Sequence, residues 1–266
     1  MLIVHLKKKN LFSNEEGVSV LIGFMLVIVS IILYASIAYP AMIKSDIKNA
    51  ELNALVDLDS KMLKLSDDIQ SDRKGQDSFQ LTASQKYSSS SAASMLFSPN
   101  SGAIDITTKH NNLRLSSATG ILSIKTKNIF AEDHTIAFQA GVIIEQQAKN
   151  SWSNTASFFF ITGKNVSAQI PIIIGNEFSI GGGIETLKYN STGTPMEIHD
   201  TNTAATITID TPYPQVFENI FENDMKGAGL ISPKDYTLSS TANSVSLSLN
   251  DLDSIDIDII PWMVNN

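Results

Sequence analysis

Residues 18–43 read VSVLIGFMLVIVSIILYASIAYPAMI, 26 residues without one charged side chain. As a helix this run is about 39 Å long, more than the roughly 30 Å of hydrocarbon in a bilayer. The stretch predicts a membrane-spanning helix, and the rest of the chain is arranged on its two sides. Upstream stand Lys7-Lys8-Lys9 and then Glu15-Glu16-Gly17. The lysine triplet places the N-terminus inside and the C-terminal side of the span outside, while Lys44 and Lys48 pull the other way.

The helical pattern does not stop at Ile43. Pro40 removes one backbone hydrogen bond and predicts a bend near Ile37 to Pro40. Leu55, Leu58, Met62, Leu65 and Ile69 then recur at spacings of three and four, one apolar helix face. Asp57, Asp59, Lys61, Lys64, Asp67 and Asp68 occupy the other positions, and Arg73, Lys74 and Gly75 read as a helix end. The expected organisation is a leader over 1–17, a transmembrane helix over 18–43, an amphipathic continuation over 44–75 and a head over 76–266. The apolar face of 55–69 is expected to pack on that head. The first half of the helix is apolar all round. Val18, Leu21, Ile22, Phe24, Met25, Leu26, Val27, Ile28, Ile31, Ile32 and Leu33 are its candidate surface for burial, in lipid or against copies of itself. Ser19, Gly23, Ser30, Ala35 and Ser36 permit close helix approach.

The head reads as sheet. Short alternating runs recur between turn residues: 103–107 (AIDIT), 121–126 (ILSIKT), 157–162 (SFFFIT), 167–174 (SAQIPIII), 206–210 (TITID), 244–249 (SVSLSL) and 255–260 (IDIDII). A first strand is expected around Ser78–Ala83, and 135–144 (TIAFQAGVII) is a more evenly apolar segment. Gly181-Gly182-Gly183 and 190–193 are turns. A helix is expected near 214–226, with Val216, Phe217, Ile220 and Phe221 on one face and Gly227 at its end. The fold class is therefore α+β: a long N-terminal transmembrane and amphipathic helix, then a mainly antiparallel, β-sandwich-like head.

Composition narrows the function classes. The net charge is −8 and the pI near 4.9, which argues against a nucleic-acid partner. With no cysteine there are no disulfides and no thiol nucleophile, so an exported head has to be held by its own core. His5, His110, His134 and His199 are scattered, without metal-ligand spacing, and no GxSxG elbow or Walker lysine occurs. No cofactor and no catalytic role are expected. Asp251, Asp253, Asp256 and Asp258 form a weak candidate Ca²⁺ cluster, with a solvated or edge-blunting strand as the cheaper explanation. Asn165 and Asn190 head two N-glycosylation sequons.

The junction Glu16-Gly17-Val18-Ser19, a small residue after a charge and directly before an uninterrupted apolar helix, resembles the class III leader of archaeal type IV pilins and archaellins. The run GVSVLIGFMLVIVSIIL is similar to the common start of archaeal pilins, with Val20-Leu21 where many have Pro-Val. Ile22 stands where bacterial pilins carry glutamate, in keeping with archaeal members. The order of head segments, including TITIDTPYPQVFENIFEND, also resembles the heads of archaeal pilin-like proteins. The resemblance implies a cut between Gly17 and Val18 by a prepilin peptidase, and an assembly ATPase and membrane platform protein as partners. It further implies polymerisation with itself or other pilins. The protein would be single-pass with its head outside before assembly, and in an extracellular filament or at the cell surface afterwards. Other readings of the same residues are a plain signal anchor, a membrane-anchored adhesin or minor tip subunit binding a partner through its β head, and an anchored extracellular enzyme.

Overall fold

The computed structural model describes residues 15–81, 92–153, 155 and 157–266, with the side chains of 15–18 left out. It divides into two compact units, 1–48 and 49–266. Helix α1 runs Glu15–Gln70, with Pro40 inside it. The helix stops short of the expected end at residues 73–75. Asp72 takes a left-handed φ of 52°. Its N–H donates to the Ile69 carbonyl (3.1 Å), and the Arg73 N–H donates to Asp68 (2.7 Å), a two-bond C-terminal cap. Gly75 does not cap the helix. It opens strand β1 (Gly75–Gln80), where a Cβ would lie 2.5 Å from the Tyr189 hydroxyl. The second unit thus takes in helix residues from Asn49 on as well as the strand-rich part.

The other strands are β2 (Ala92–Thr108), β3 (Arg114–Lys127), β4 (His134–Gln139), β5 (Val142–Gln147), β6 (Asn150–Ser153), β7 (Phe159–Thr162), β8 (Asn165–Ile174), β9 (Phe178–Gly181), β10 (Ile184–Ser191), β11 (Met196–Asp210), β12 (Tyr236–Ser240) and β13 (Ser244–Asn265). Helix α2 runs Pro214–Gly227 between β11 and β12, with Val216, Phe217, Phe221 and Met225 buried and Ile220 partly so. Gly227 lies inside α2; the left-handed cap residue is Gly229 (φ 77°).

The head is strand-rich, as the alternating runs predict, but it is not two stacked sheets. All strands join one sheet, and β13–β11–β2–β3–β8 returns to β13, closing a barrel-like circuit. Among the described residues β8 and β13 form the one parallel pair; the other pairs are antiparallel. The sandwich expectation fails because three strands are far longer than the runs that announce them. The 244–249 and 255–260 runs are one strand, β13, of 22 residues. Strands β2 and β11, of 17 and 15 residues, likewise extend past their alternating runs. A long twisted strand serves neighbours at both ends in different directions, and that closes the sheet.

Two cores result. One lies inside the circuit and under α2, built on Ile104, Ile106, Ile170, Ile207, Phe217, Leu247 and Ile257 among others. The second lies on the outer side of β3–β5 and takes in Leu58, Met62, Leu65 and Ile69 of α1. Strands β4 and β5 have a core on each face: Ala137, Val142 and Ile144 face the first, and Ile136, Phe138 and Ile143 the second. That is why 135–144 reads as evenly apolar rather than alternating. It is a hairpin, not one strand, turning at Ala140 and Gly141 (φ 50° and 84°).

Circuit closure between β3 and β8 rests on one pair, Gly120 with Ile173. A Cβ at Gly120 would lie 2.4 Å from the Phe97 ring and 2.9 Å from the Ile173 carbonyl. No side chain fits without parting the two strands. Gly120→Ala is therefore expected to destabilise the head by about 2 kcal/mol, in the range for overpacked cores. Urea unfolding of the full chain checks this, and a change within about 0.5 kcal/mol would show the closure to be slack.

Candidate functional site

The strongest candidate is the apolar part of α1, residues 18–43. Among the described residues it belongs to the one helix long and apolar enough to cross a membrane, with a mean hydropathy of 2.8 over its best 18-residue window and none of that window buried. Leu21, Ile22, Phe24, Met25, Leu26, Val27, Ile31, Ile32 and Leu33 are all exposed and Ile28 is half-buried. Val20, Tyr34 and Ile37 each keep 74% of their surface. Soluble proteins rarely leave a continuous apolar surface of this extent in water, which makes the segment the strongest candidate for burial in lipid or against another apolar surface. It is compatible with a single-pass membrane anchor; a signal sequence satisfies the same length and composition. Gly17 and Val18 lie on helical backbone in α1, and residues 1–14 of the expected leader lie outside the described residues.

Farther along α1 the helix is held by core and by charge. Leu58, Met62, Leu65 and Ile69 are fully buried and Leu55 partly so, each full burial contributing about 1.5–3 kcal/mol. Glu51 is buried on the same helix and caps the β3–β4 loop. Its carboxylate accepts from the backbone N–H groups of Ile129 (2.6 Å), Phe130 (3.1 Å) and Ala131 (2.8 Å). At the other end, the Tyr189 hydroxyl shares its one proton between the carboxylates of Asp68 (2.7 Å) and Asp77 (2.9 Å). Burial, then those two bonds, push its pKa up. Lys64 bonds to Asp77, and Arg73 reaches Asp68 at 3.0 Å. Charged side chains that pattern reading assigns to an outer helix face, Lys64 and Asp68, thus tie α1 to β1 and β10.

The acidic run on β13 does not come together. Asp253 and Asp256 are exposed and Asp258 is half-exposed, alternating with buried Leu252, Ile255, Ile257 and Ile259. Asp251 sits at a bulge with φ 54° and pairs with Lys164. Among the described residues no group of three or more His, Asp or Glu side chains is placed to hold a metal ion. The run is the outer face of a half-buried strand, the cheaper explanation of its alternation. Asn165 and Asn190 are both exposed, the first beside the β7–β8 turn and the second on β10. His110 and His199 are exposed, whereas His134 is buried, 3.0 Å from Glu145 and edge-on to the Trp152 ring. Asp59 on α1 has its pKa raised by burial and then by the charge of Glu145.

Asp200 on β11 is fully buried and ties down the loop after β2. It accepts from the Asn111 amide group (2.6 Å) and from the N–H groups of Asn111 (3.3 Å) and Thr201 (2.9 Å). The Thr108 hydroxyl beside it, then those amides, hold its carboxyl at about 2 against an ordinary 3.8. Nothing in the pattern flags Asp200, Glu51, Asp59 or Tyr189, because each is defined by what folds against it.

Comparison with known protein families, with characterised proteins and with solved structures finds no match.

This geometry can be tested at both buried carboxylates. Glu51→Ala takes the carboxylate acceptor from the N–H groups of Ile129, Phe130 and Ala131 and is expected to destabilise the head by about 1–2 kcal/mol. Hydrogen exchange read at Ile129–Ala131 should lose its protection, and unchanged exchange there would refute the capping role. Asp200 has a lowered folded pKa, so its contribution is complete above about pH 4 and is lost as pH falls through about 2. Melts of Asp200→Asn between about pH 5 and 2 should therefore fall less steeply with acid than those of the wild type. Parallel curves would contradict the assignment.

Proposed function

We propose that this chain is the structural subunit of a type IV pilus-like surface filament. In this reading a prepilin peptidase cuts between Gly17 and Val18 on the cytoplasmic side. The apolar helix is left at the new N-terminus, with the head outside. An assembly ATPase and a polytopic platform protein then drive the subunit from the bilayer into the polymer. The observation that carries the reading is one juxtaposition: a Glu–Gly junction directly ahead of 26 uncharged residues that begin Val-Ser, whose best 18-residue window α1 leaves unburied. A secretory signal has its cleavage site after the apolar core, and here the small residue precedes it. An apolar helix leaving lipid has to bury its surface again, at about 25 cal/mol per Å², and copies of itself offer such a surface. The acidic, cysteine-free, hydroxyl-rich head suits an exported role.

Co-expression of the full chain with an archaeal prepilin peptidase tests this reading. N-terminal sequencing of the mature protein is expected to begin at Val18, and Gly17→Leu is expected to block processing. A mature chain beginning at Met1 in the presence of active peptidase would overturn the reading. Electron microscopy of labelled heads separates it from the adhesin alternative, since label along whole filaments marks a structural subunit and label on the membrane or at tips an anchored or minor one.

A further inference from the structure

We propose that the cleft between α2 and β6 is a binding site for a neutral sugar ring. Trp152 is its stacking platform, and Asn219, Asn223 and Asp224 read the hydroxyls. The cleft measures about 330 Å³, within the range of small-ligand sites. Trp152 comes from β6, and Asn219 and Asn223 stand four residues apart on α2 and so share one helix face. Ser157 and Thr155 complete the polar wall.

Three features set this cleft apart from an ordinary surface hollow. Both amides are exposed and make no side-chain hydrogen bond among the described residues, so each offers a donor and an acceptor. Asp224 is half-buried, and its Oδ2 is fixed by the Ser157 hydroxyl while Oδ1 accepts from no described residue. Burial raises its pKa, the mark of a site with reduced access to water. The Trp152 ring is half-exposed and is held by edge-on packing against buried His134, with centroids 5.7 Å apart at 69°.

The chemistry of these groups selects the ligand class. A pyranose presents an apolar face of C–H groups and a rim of hydroxyls that each donate and accept. The flat indole takes the face, and amides and a carboxylate take the rim. No lysine or arginine lines the cleft, which removes the counter-charge that a phosphate or acidic sugar would need. The inference does not rest on leader cleavage or on polymerisation, and the two can fail separately.

The chain has two tryptophans, and Trp262 is buried in the second core, so changes in intrinsic fluorescence on adding a solute report Trp152. The full chain is kept in a polyoxyethylene detergent, because a maltoside headgroup would itself compete. It is titrated separately with glucose, galactose, mannose and N-acetylglucosamine, and with choline as a cationic probe. At least one sugar is expected to give a saturable change with a dissociation constant on the order of 1 mM. The Asn219→Ala/Asn223→Ala double variant, altered only at exposed positions, is expected to weaken it at least about tenfold with an unchanged melting temperature. On a column bearing the same sugar, Trp152→Phe should still be retained and Trp152→Ala should run through. A response to none of the four sugars, a response unaltered in the double variant, or a response to choline alone would each overturn the proposal.

Discussion

Strand β13 is the constraint on which the head depends. It pairs with β12, β11, β8 and β10 along its 22 residues, and among the described residues no other strand has as many partners. Its first part sends Val245, Leu247, Leu249, Ile255, Ile257 and Ile259 into the barrel core. Its last part sends Trp262 and Val264 into the core shared with α1, from the opposite face of the strand. One strand thus joins two hydrophobic layers, and the parallel β8 laid along it completes the circuit. The cost of so long a twisted strand is met at isolated positions. Asn100 in β2, Asn202 in β11 and Asp251 in β13 all take left-handed φ values of 50–55°. Asn and Asp are the L-residues that tolerate this conformation best. At Asn100 the buried side of β2 changes from the second core, with Met95 and Phe97, to the first, with Ile104 and Ile106.

Helix α1 is one secondary structure in two environments. From Leu55 to Ile69 it behaves as an ordinary core helix, with one face sealed and the other carrying charge. From 19 to 43 its polar backbone is satisfied by the helix itself except at Pro40, and its side chains are apolar on every side. The two polar ties on its head-bound part, Glu51 and Asp68, lie seventeen residues apart, about 26 Å along the axis.

Much of this was legible in the sequence, for a physical reason in each case. An uncharged run of 26 residues has few soluble uses, and a spacing of three and four fixes a helix face from local geometry alone. Alternation marked half-buried strands such as 103–107 and 206–210. It failed at 135–144, where both faces are buried, and it broke β13 in two at Asn250 and Asp251, where a bulge interrupts the period. Barrel closure was not legible, because it depends on Gly120 meeting Ile173 across more than fifty residues of chain. The helix end was misplaced because a Gly after basic residues is the common stop signal, and here Asp72 takes the left-handed position. Of the candidate site, the long apolar helix was visible in composition. The carboxylates of Glu51 and Asp200 were not, since a buried acid looks like any other acid until its donors are in place.

The absence of cysteine and the presence of buried carboxylates belong together. A head without disulfides has to resist opening by packing and hydrogen bonding alone. Glu51 gathers three backbone N–H groups of the β3–β4 loop, and Asp200 holds the backbone N–H and the side-chain amide of Asn111 in the β2–β3 loop, where the ladder leaves donors unpaired. A carboxylate accepts more strongly than a neutral oxygen, so one side chain holds irregular chain in place, three residues at Glu51 and Asn111 at Asp200. The loops so fixed are those between β2 and β3 and between β3 and β4, which flank the strand that closes the circuit. The Glu51 tie places the helix and the β3–β4 loop on one carboxylate, between the ends of β3 and β4.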